Sequence, residues 1–195
     1  MDELTNSLRS VKYLAIDRGG VLFTNDEWHA FVVNGVSIKP KQRSHSDGQG
    51  ITFLRALGIQ ICVFTTGVGE SALAAKELVD RWNKLHTGAV PGQDVWPAVT
   101  LIENVEGQEK KDAVEKWLTG LGGTWKECAV MGNDFGDAQI LKAAGVPTAP
   151  SDADESIQSL CSFVSKYPGG QGAIRELANT IIKVRGIDPF TLPVR

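Results

Sequence analysis

Tyr13-Leu14-Ala15-Ile16-Asp17-Arg18-Gly19-Gly20-Val21-Leu22 is the stretch that decides the fold. An apolar run stops at a carboxylate and then turns through two glycines. A run with no polar alternation needs both faces covered, as central strands of parallel sheets do. Such a strand, read here over Val11–Ile16, delivers Asp17 to the carboxyl edge of its sheet. That edge is where open α/β sheets bind ligands.

Around this strand the chain alternates strand and helix patterns. Ile59–Phe64, Val99–Ile102, Cys128–Met131, Val146–Ala149 and Phe163-Val164-Ser165 read as further strands. Helical spacing covers Ile51–Leu57, Ser71–Leu85, Gly107–Leu118, Ala138–Ala144 and Ala173–Val184. The alternation predicts an α/β fold: a three-layer, doubly wound parallel sheet in one domain over 11–185. Residues 1–10 read as a polar, frayed lead-in and 186–195 as a tail without periodicity. Asn34-Gly35 between two β-rich runs is a hairpin signal, so about 21–38 is expected to form a β-hairpin flap beside Asp17. His86–Pro97 reads as irregular.

The chain has 195 residues, 42% apolar and 22% charged, a net charge of −3 and a pI near 5.6. No basic surface run points to nucleic acid. No apolar stretch is long enough to span a membrane as a helix. The first residues lack the basic and apolar segments of a signal peptide. Cys62, Cys128 and Cys161 are odd in number and unpatterned, which argues against a disulfide framework or a zinc site, and Cys62 and Cys128, within apolar runs, read as buried, reduced thiols. A cytoplasmic location is the expectation from this usage.

Four element ends then carry polar residues: Asp17, Thr66, Lys110 and the group Asn133, Asp134 and Asp137. In a right-handed parallel sheet these ends share one side. Lys110 lies in the first turn of a helix, where the dipole disfavours a cation. It is therefore a candidate to hold an anion, whereas Lys111 beside it reads as solvated. A carboxylate nucleophile, a hydroxyl, an ammonium and a carboxylate cluster are the parts needed for metal-assisted phosphoryl transfer.

The sequence resembles haloacid-dehalogenase-type phosphatases over roughly residues 11–185. The similar branch holds 3-deoxy-D-manno-octulosonate 8-phosphate (KDO 8-phosphate) phosphatase and the C-terminal domain of animal N-acylneuraminate cytidylyltransferases. Ile16–Leu22 stands where the family has Asp-x-Asp-Gly-Val-Leu. Asp47-Gly48-Gln49-Gly50-Ile51, Phe64-Thr65-Thr66-Gly67, Lys110, Gly132–Asp137 and Gly169–Glu176 match later motifs in order. The resemblance implies catalytic roles for Asp17, Thr66, Lys110 and Asp137. It implies magnesium held by Asp17, the Gly19 carbonyl, Asp134 and Asn133. Arg18, Gly20, Gly67, Asp47 and Arg175 fall at expected substrate-binding positions. A small phosphorylated eight- or nine-carbon sugar acid and a homotetramer are the implied partners, with no nucleic acid and no membrane.

Several departures bear on activity. The family's second aspartate, the general acid and base, is Gly19. Asn133 replaces an aspartate, and Val68 stands where an arginine is usual. Arg18 could hold a phosphate or pair with Asp17 and block it. His45 or Asp47 could replace the lost acid, although a solvated loop histidine and a structural turn acid are the blander readings. The alternative is a degraded, non-catalytic domain serving oligomerisation or regulation. A Rossmann-type nucleotide binder fits poorly, because Gly67-Val68-Gly69 lacks the third glycine and the distal acid.

Overall fold

The computed structural model describes residues 2–26, 31–33, 36–38, 40–84 and 96–193. β1 (Tyr13–Asp17), β4 (Gln60–Phe64), β5 (Val99–Ile102), β6 (Cys128–Met131), β7 (Val146–Ala149) and β8 (Phe163–Val164) form one sheet. Its order is β5-β4-β1-β6-β7-β8, and every pairing is parallel. The chain builds outward from β1 to β4 and β5, then returns to β1's other side with β6. The carboxyl ends of β1 and β6 therefore flank the point where the winding reverses, the usual ligand crevice of open α/β sheets.

β1 is buried at all five positions, and its alternation divides the core. Leu14 and Ile16 pack with Leu54 of α2 (His45–Ala56), Val79 of α3 (Leu73–Lys84) and Leu177 of α7 (Ala173–Val184). Tyr13 and Ala15 pack on the opposite side with Val114 of α4 (Gln108–Gly120), Ile140 of α5 (Ala138–Ala143) and Ile157 of α6 (Glu155–Gln158). These are the three layers expected from the sequence. Burying an aliphatic side chain is worth about 1.5–3 kcal/mol, and α7 alone buries Ile174, Leu177, Ile181 and Ile182.

Three expectations change. Residues 3–10 are not frayed: Glu3–Ser10 form α1, because Asp2 caps its Thr5 N–H at 2.7 Å and Leu8 enters the core. Arg9 also ties α1 to the carbonyl of Val184. The hairpin is shorter than 21–38: β2 (Phe31–Val33) pairs antiparallel with β3 (Val36–Ile38). Val21, Leu22 and Phe23 are core residues instead. The chain reaches them through Gly20 at φ +74°, a left-handed turn that glycine adopts without a Cβ penalty, and Leu22 N–H returns to the Asp17 carbonyl at 3.3 Å. Within the expected flap, residues 27–30 and the Asn34-Gly35 turn lie outside the described residues, as does most of His86–Pro97.

α2 also starts six residues earlier than its apolar spacing suggests, capped by Ser44. That extension carries Asp47 into the first turn. Asp47 is fully buried and accepts N–H groups from Gly172 and Arg175, both at 2.9 Å. Helix α7 has no capping side chain of its own, since Gly172 precedes it. Asp47 thus serves as a cap supplied from a neighbouring helix, opposite the positive end of α7's dipole.

Candidate active site

The carboxyl edge of the sheet gathers three buried charges. Asp17 ends β1, and Lys110 projects from the first turn of α4. Asp137 closes the 3-10 turn Phe135–Asp137 behind β6. Their residue exposures are 8%, 5% and 1%. Lys110 Nζ donates to Asp17 Oδ1 at 3.1 Å and to Asp137 Oδ1 at 2.7 Å. It also stands 5.3 Å from the ring centre of Phe64, the residue paired with Asp17 across the sheet. Two carboxylates therefore share one ammonium.

That imbalance sets the electrostatics. Burial, then the Asp137 charge, raises the Asp17 pKa from 3.8 to about 7, against the opposing pull of Lys110. Burial alone would lower the Lys110 pKa, but Asp17 and Asp137 outweigh it and hold the amine protonated. With Asp17 ionised, the cluster carries one surplus negative charge in a largely buried setting.

Asp137 is fixed from both sides. Its Oδ2 accepts from Asn133 N–H at 2.9 Å and Asp134 N–H at 3.3 Å. Its own N–H donates to the Asp134 carbonyl at 2.8 Å. Asp134 is exposed, and its Oδ1 accepts from Phe135 N–H at 2.6 Å. The loop after β6 is thus a tight cap that orients Asp137 toward Lys110 and leaves Asp134 at the mouth.

Thr66 is exposed at the end of β4. The buried hydroxyl beside it, Thr65, accepts the Gly67 N–H at 3.0 Å. Backbone bonds from Val105 to Thr65 and from Asn104 to Gly67 fasten this loop to the end of β5. Arg18 makes no ion pair with Asp17: its guanidinium donates to the Ser71 carbonyl at 2.7 Å. Phe64 and Thr65 belong to the quoted Phe64–Gly67 motif but carry no role of their own from sequence, and Ser71 carries none either. The Phe64 role was latent in register, because a strand end beside Asp17 has to place a side chain there.

Asp47 and Arg175 fall elsewhere. The Asp47 carboxylate is spent on the start of α7, which removes it as a substitute acid. Burial raises its pKa, while backbone N–H groups of Arg175, Gly172 and Ile174 oppose that rise. Arg175 stacks its guanidinium 4.5 Å above the ring of Phe53. No described hydrogen bond joins either residue to Asp17, Lys110 or Asp137. His45 opens α2, exposed.

Among the described residues, no three His, Cys, Asp or Glu side chains converge to hold a metal unaided. Magnesium asks for less: one or two carboxylates, with water and phosphate oxygens completing its shell. The surplus negative charge and all-oxygen donors at Asp17, Asp134, Asn133 and the Gly19 carbonyl suit a hard divalent cation. They would not suit a soft metal.

No protein-family model matches the chain. Among known proteins it is 26% identical over 183 residues to the KDO 8-phosphate phosphatase of Haemophilus influenzae, covering 94% of this chain and 89% of that one. It is 26% identical over 139 residues to N-acylneuraminate cytidylyltransferase A of Danio rerio, covering 71% of this chain but 28% of that larger protein. Its fold superposes on the KDO 8-phosphate phosphatase of Moraxella catarrhalis, solved with a magnesium ion, a phosphate ion and KDO. The TM-score is 0.77 at 20% identity, over 95% and 94% of the two chains.

Proposed function

We propose that this chain, a haloacid-dehalogenase-type relative of the KDO 8-phosphate phosphatases, is a divalent-metal-dependent phosphomonoesterase acting on a phosphorylated eight- or nine-carbon sugar acid. The observation that carries the reading is the Lys110 ammonium held between Asp17 and Asp137 at the edge where β1 and β6 diverge.

In this reading an Asp17 oxygen attacks phosphorus, the bond to the sugar oxygen breaks, and an aspartyl phosphate forms. Lys110 and the Thr66 hydroxyl hold phosphoryl oxygens, and Asp137 keeps Lys110 in place. Backbone N–H groups of Gly19 and Gly20 lie in the turn after the nucleophile, while that of Arg18 donates to the Phe64 carbonyl at 3.1 Å. Asp17, Asp134, Asn133 and the Gly19 carbonyl would hold magnesium, which would neutralise charge on the phosphate dianion. The departing sugar oxygen takes its proton from solvent water; a second water then cleaves the aspartyl phosphate, one of its protons passing to solvent and the other leaving on phosphate, and Asp17 is restored.

Gly19 makes protonation of the departing sugar oxygen the weak step. Among the described residues a Cβ added at Gly19 would meet only Asp17 Oδ2, at 3.9 Å, which leaves room for an aspartate. With magnesium, Gly19→Asp should raise turnover of KDO 8-phosphate by ~10²–10⁴-fold, the usual worth of a positioned acid/base, and Asp17→Asn should abolish it. The competing reading, a non-catalytic assembly domain, rests on Gly19 itself. It prevails if neither the native chain nor Gly19→Asp releases phosphate in an Asp17-dependent manner. A tetramer by light scattering is the expected solution state.

A further inference from the structure

α2 and α7 enclose a second cavity with the tail that follows them. It measures about 930 Å³, and none of Asp17, Lys110 or Asp137 lines it. Phe53 of α2, Ile182 of α7, and Ile187 and Phe190 of the tail form its apolar wall. Its charged lining is Arg175 and Lys183, with the polar His45 beside them and no acidic residue among the described residues.

Arg175 is set in place before anything binds. Its backbone N–H is held by Asp47 Oδ1, and its guanidinium lies 4.5 Å over the Phe53 ring. The ring contact engages the guanidinium carbon, and among the described residues no hydrogen bond engages its N–H groups. Among the described residues no carboxylate comes within ion-pair distance of it. Among the described residues the nearby acid is Asp47, and it already has both oxygens on backbone N–H groups.

Phe190 is 93% exposed, yet its turn is fixed. Asp188 Oδ1 accepts its N–H at 3.0 Å, and Leu192, two residues on, is buried with Phe53 and Ile182. This capped turn thus holds a bare aromatic ring at the edge of an apolar, cationic cavity. The volume falls within the ~300–1,000 Å³ of small-molecule sites.

We propose that this cavity binds a small amphipathic organic anion. Its carboxylate meets the Arg175 fork, with Lys183 as the second cation, and its aromatic or branched body lies on Phe53, Ile182 and Phe190. This site is separate from the Asp17 cluster and does not depend on the phosphatase reading.

The full chain, in EDTA, is titrated with 1-anilinonaphthalene-8-sulfonate, which is then displaced by 2-naphthoate or its neutral analogue 2-naphthamide. One dye per chain is expected, with naphthoate displacing it at concentrations about 10- to 100-fold below those needed for the amide, the worth of a charged hydrogen bond. Arg175→Met should remove that preference while leaving amide binding in place. Asn179→Trp, from an exposed lining position of α7, should block both ligands and serves if the arginine variant does not fold. Equal affinity for acid and amide would overturn the proposal. So would indifference to both substitutions, displacement by orthovanadate, or dye binding that tracks association of two copies in light scattering.

Discussion

The surplus charge around Asp17 predicts that removing the nucleophile's charge stabilises the metal-free protein. The native Asp17 pKa of about 7, against 3.8, is at ~1.4 kcal/mol per pH unit a cost of ~4 kcal/mol for keeping Asp17 ionised in the fold. Solvent relaxation trims this toward ~1–4 kcal/mol. Asparagine keeps an oxygen for Lys110 Nζ and leaves the Lys110–Asp137 bond intact, so Asp17→Asn removes the charge with little loss of contact. The sign follows from the raised pKa: the favourable contribution of protonated Asp17 is complete below about pH 4 and is lost as pH rises through about 7. In EDTA at pH 8, Asp17→Asn should melt roughly 3–12 °C above the native chain, taking ~2–4 °C per kcal/mol for a domain of this size. Near pH 4.5 the gap should shrink to a small fraction of that. Millimolar magnesium should raise the native melting temperature at pH 8 and leave the variant's unchanged. A variant no more stable than the native chain at pH 8, or a gap independent of pH, would refute the account of the cluster.

Other substitutions probe the neighbouring contacts. Lys110→Met strands two buried carboxylates and should cost ~3–5 kcal/mol at neutral pH. Chemical denaturation should show the loss easing as pH falls and the acids protonate, whereas a pH-independent loss would point to packing alone. Asp47→Ala uncovers the Gly172 and Arg175 N–H groups and should cost ~1–3 kcal/mol; amide exchange at the start of α7 should speed up with the rest of the helix less affected. Arg18→Gln loses the bond to the Ser71 carbonyl and should alter substrate KM more than melting temperature. An unchanged KM would deny the arginine any part in binding.

The sheet was legible because its strands are short apolar runs that end in polar or glycine residues, a pattern only double-sided burial explains. Helix ends were less so. α2 was placed too late because its first turn, His45-Ser46-Asp47-Gly48, has no apolar face; its partner is the N-terminus of α7, more than a hundred residues on. α1 was missed because its stability comes from Asp2, Arg9 and one buried leucine, a tertiary anchoring that hydrophobic spacing does not register. Val21 and Leu22 have the β-propensity of a hairpin arm. Gly20 turns them into the core instead, a choice of backbone angle that composition leaves open. Within the site, Asp17, Lys110 and Asp137 could be named from strand and helix ends alone. Thr65, Ser71 and Phe64 could not, since their parts depend on which loop closes over which strand.

The sequence left Arg18 with two opposed roles, phosphate clamp or block on the nucleophile. The guanidinium reaches across to Ser71, and the ammonium partner of Asp17 is Lys110. Lys110 occupies Oδ1, while Oδ2 is the oxygen that lies nearest the place a Gly19 side chain would take. A blocked nucleophile and a missing proton donor would both give a slow enzyme, but they differ in what restores it. If Arg18 were the obstacle, removing it would accelerate every substrate alike. If Gly19 is the deficit, the native chain should handle an aryl phosphate, whose leaving oxygen departs without a proton, far better than an alkyl phosphate. Gly19→Asp should then close that gap by raising only the alkyl rate. The geometry favours the second case, since a side chain committed to Ser71 does not neutralise Asp17. A ratio of aryl to alkyl turnover left unchanged by Gly19→Asp, in a variant that folds and binds magnesium, would show that the proton comes from another group.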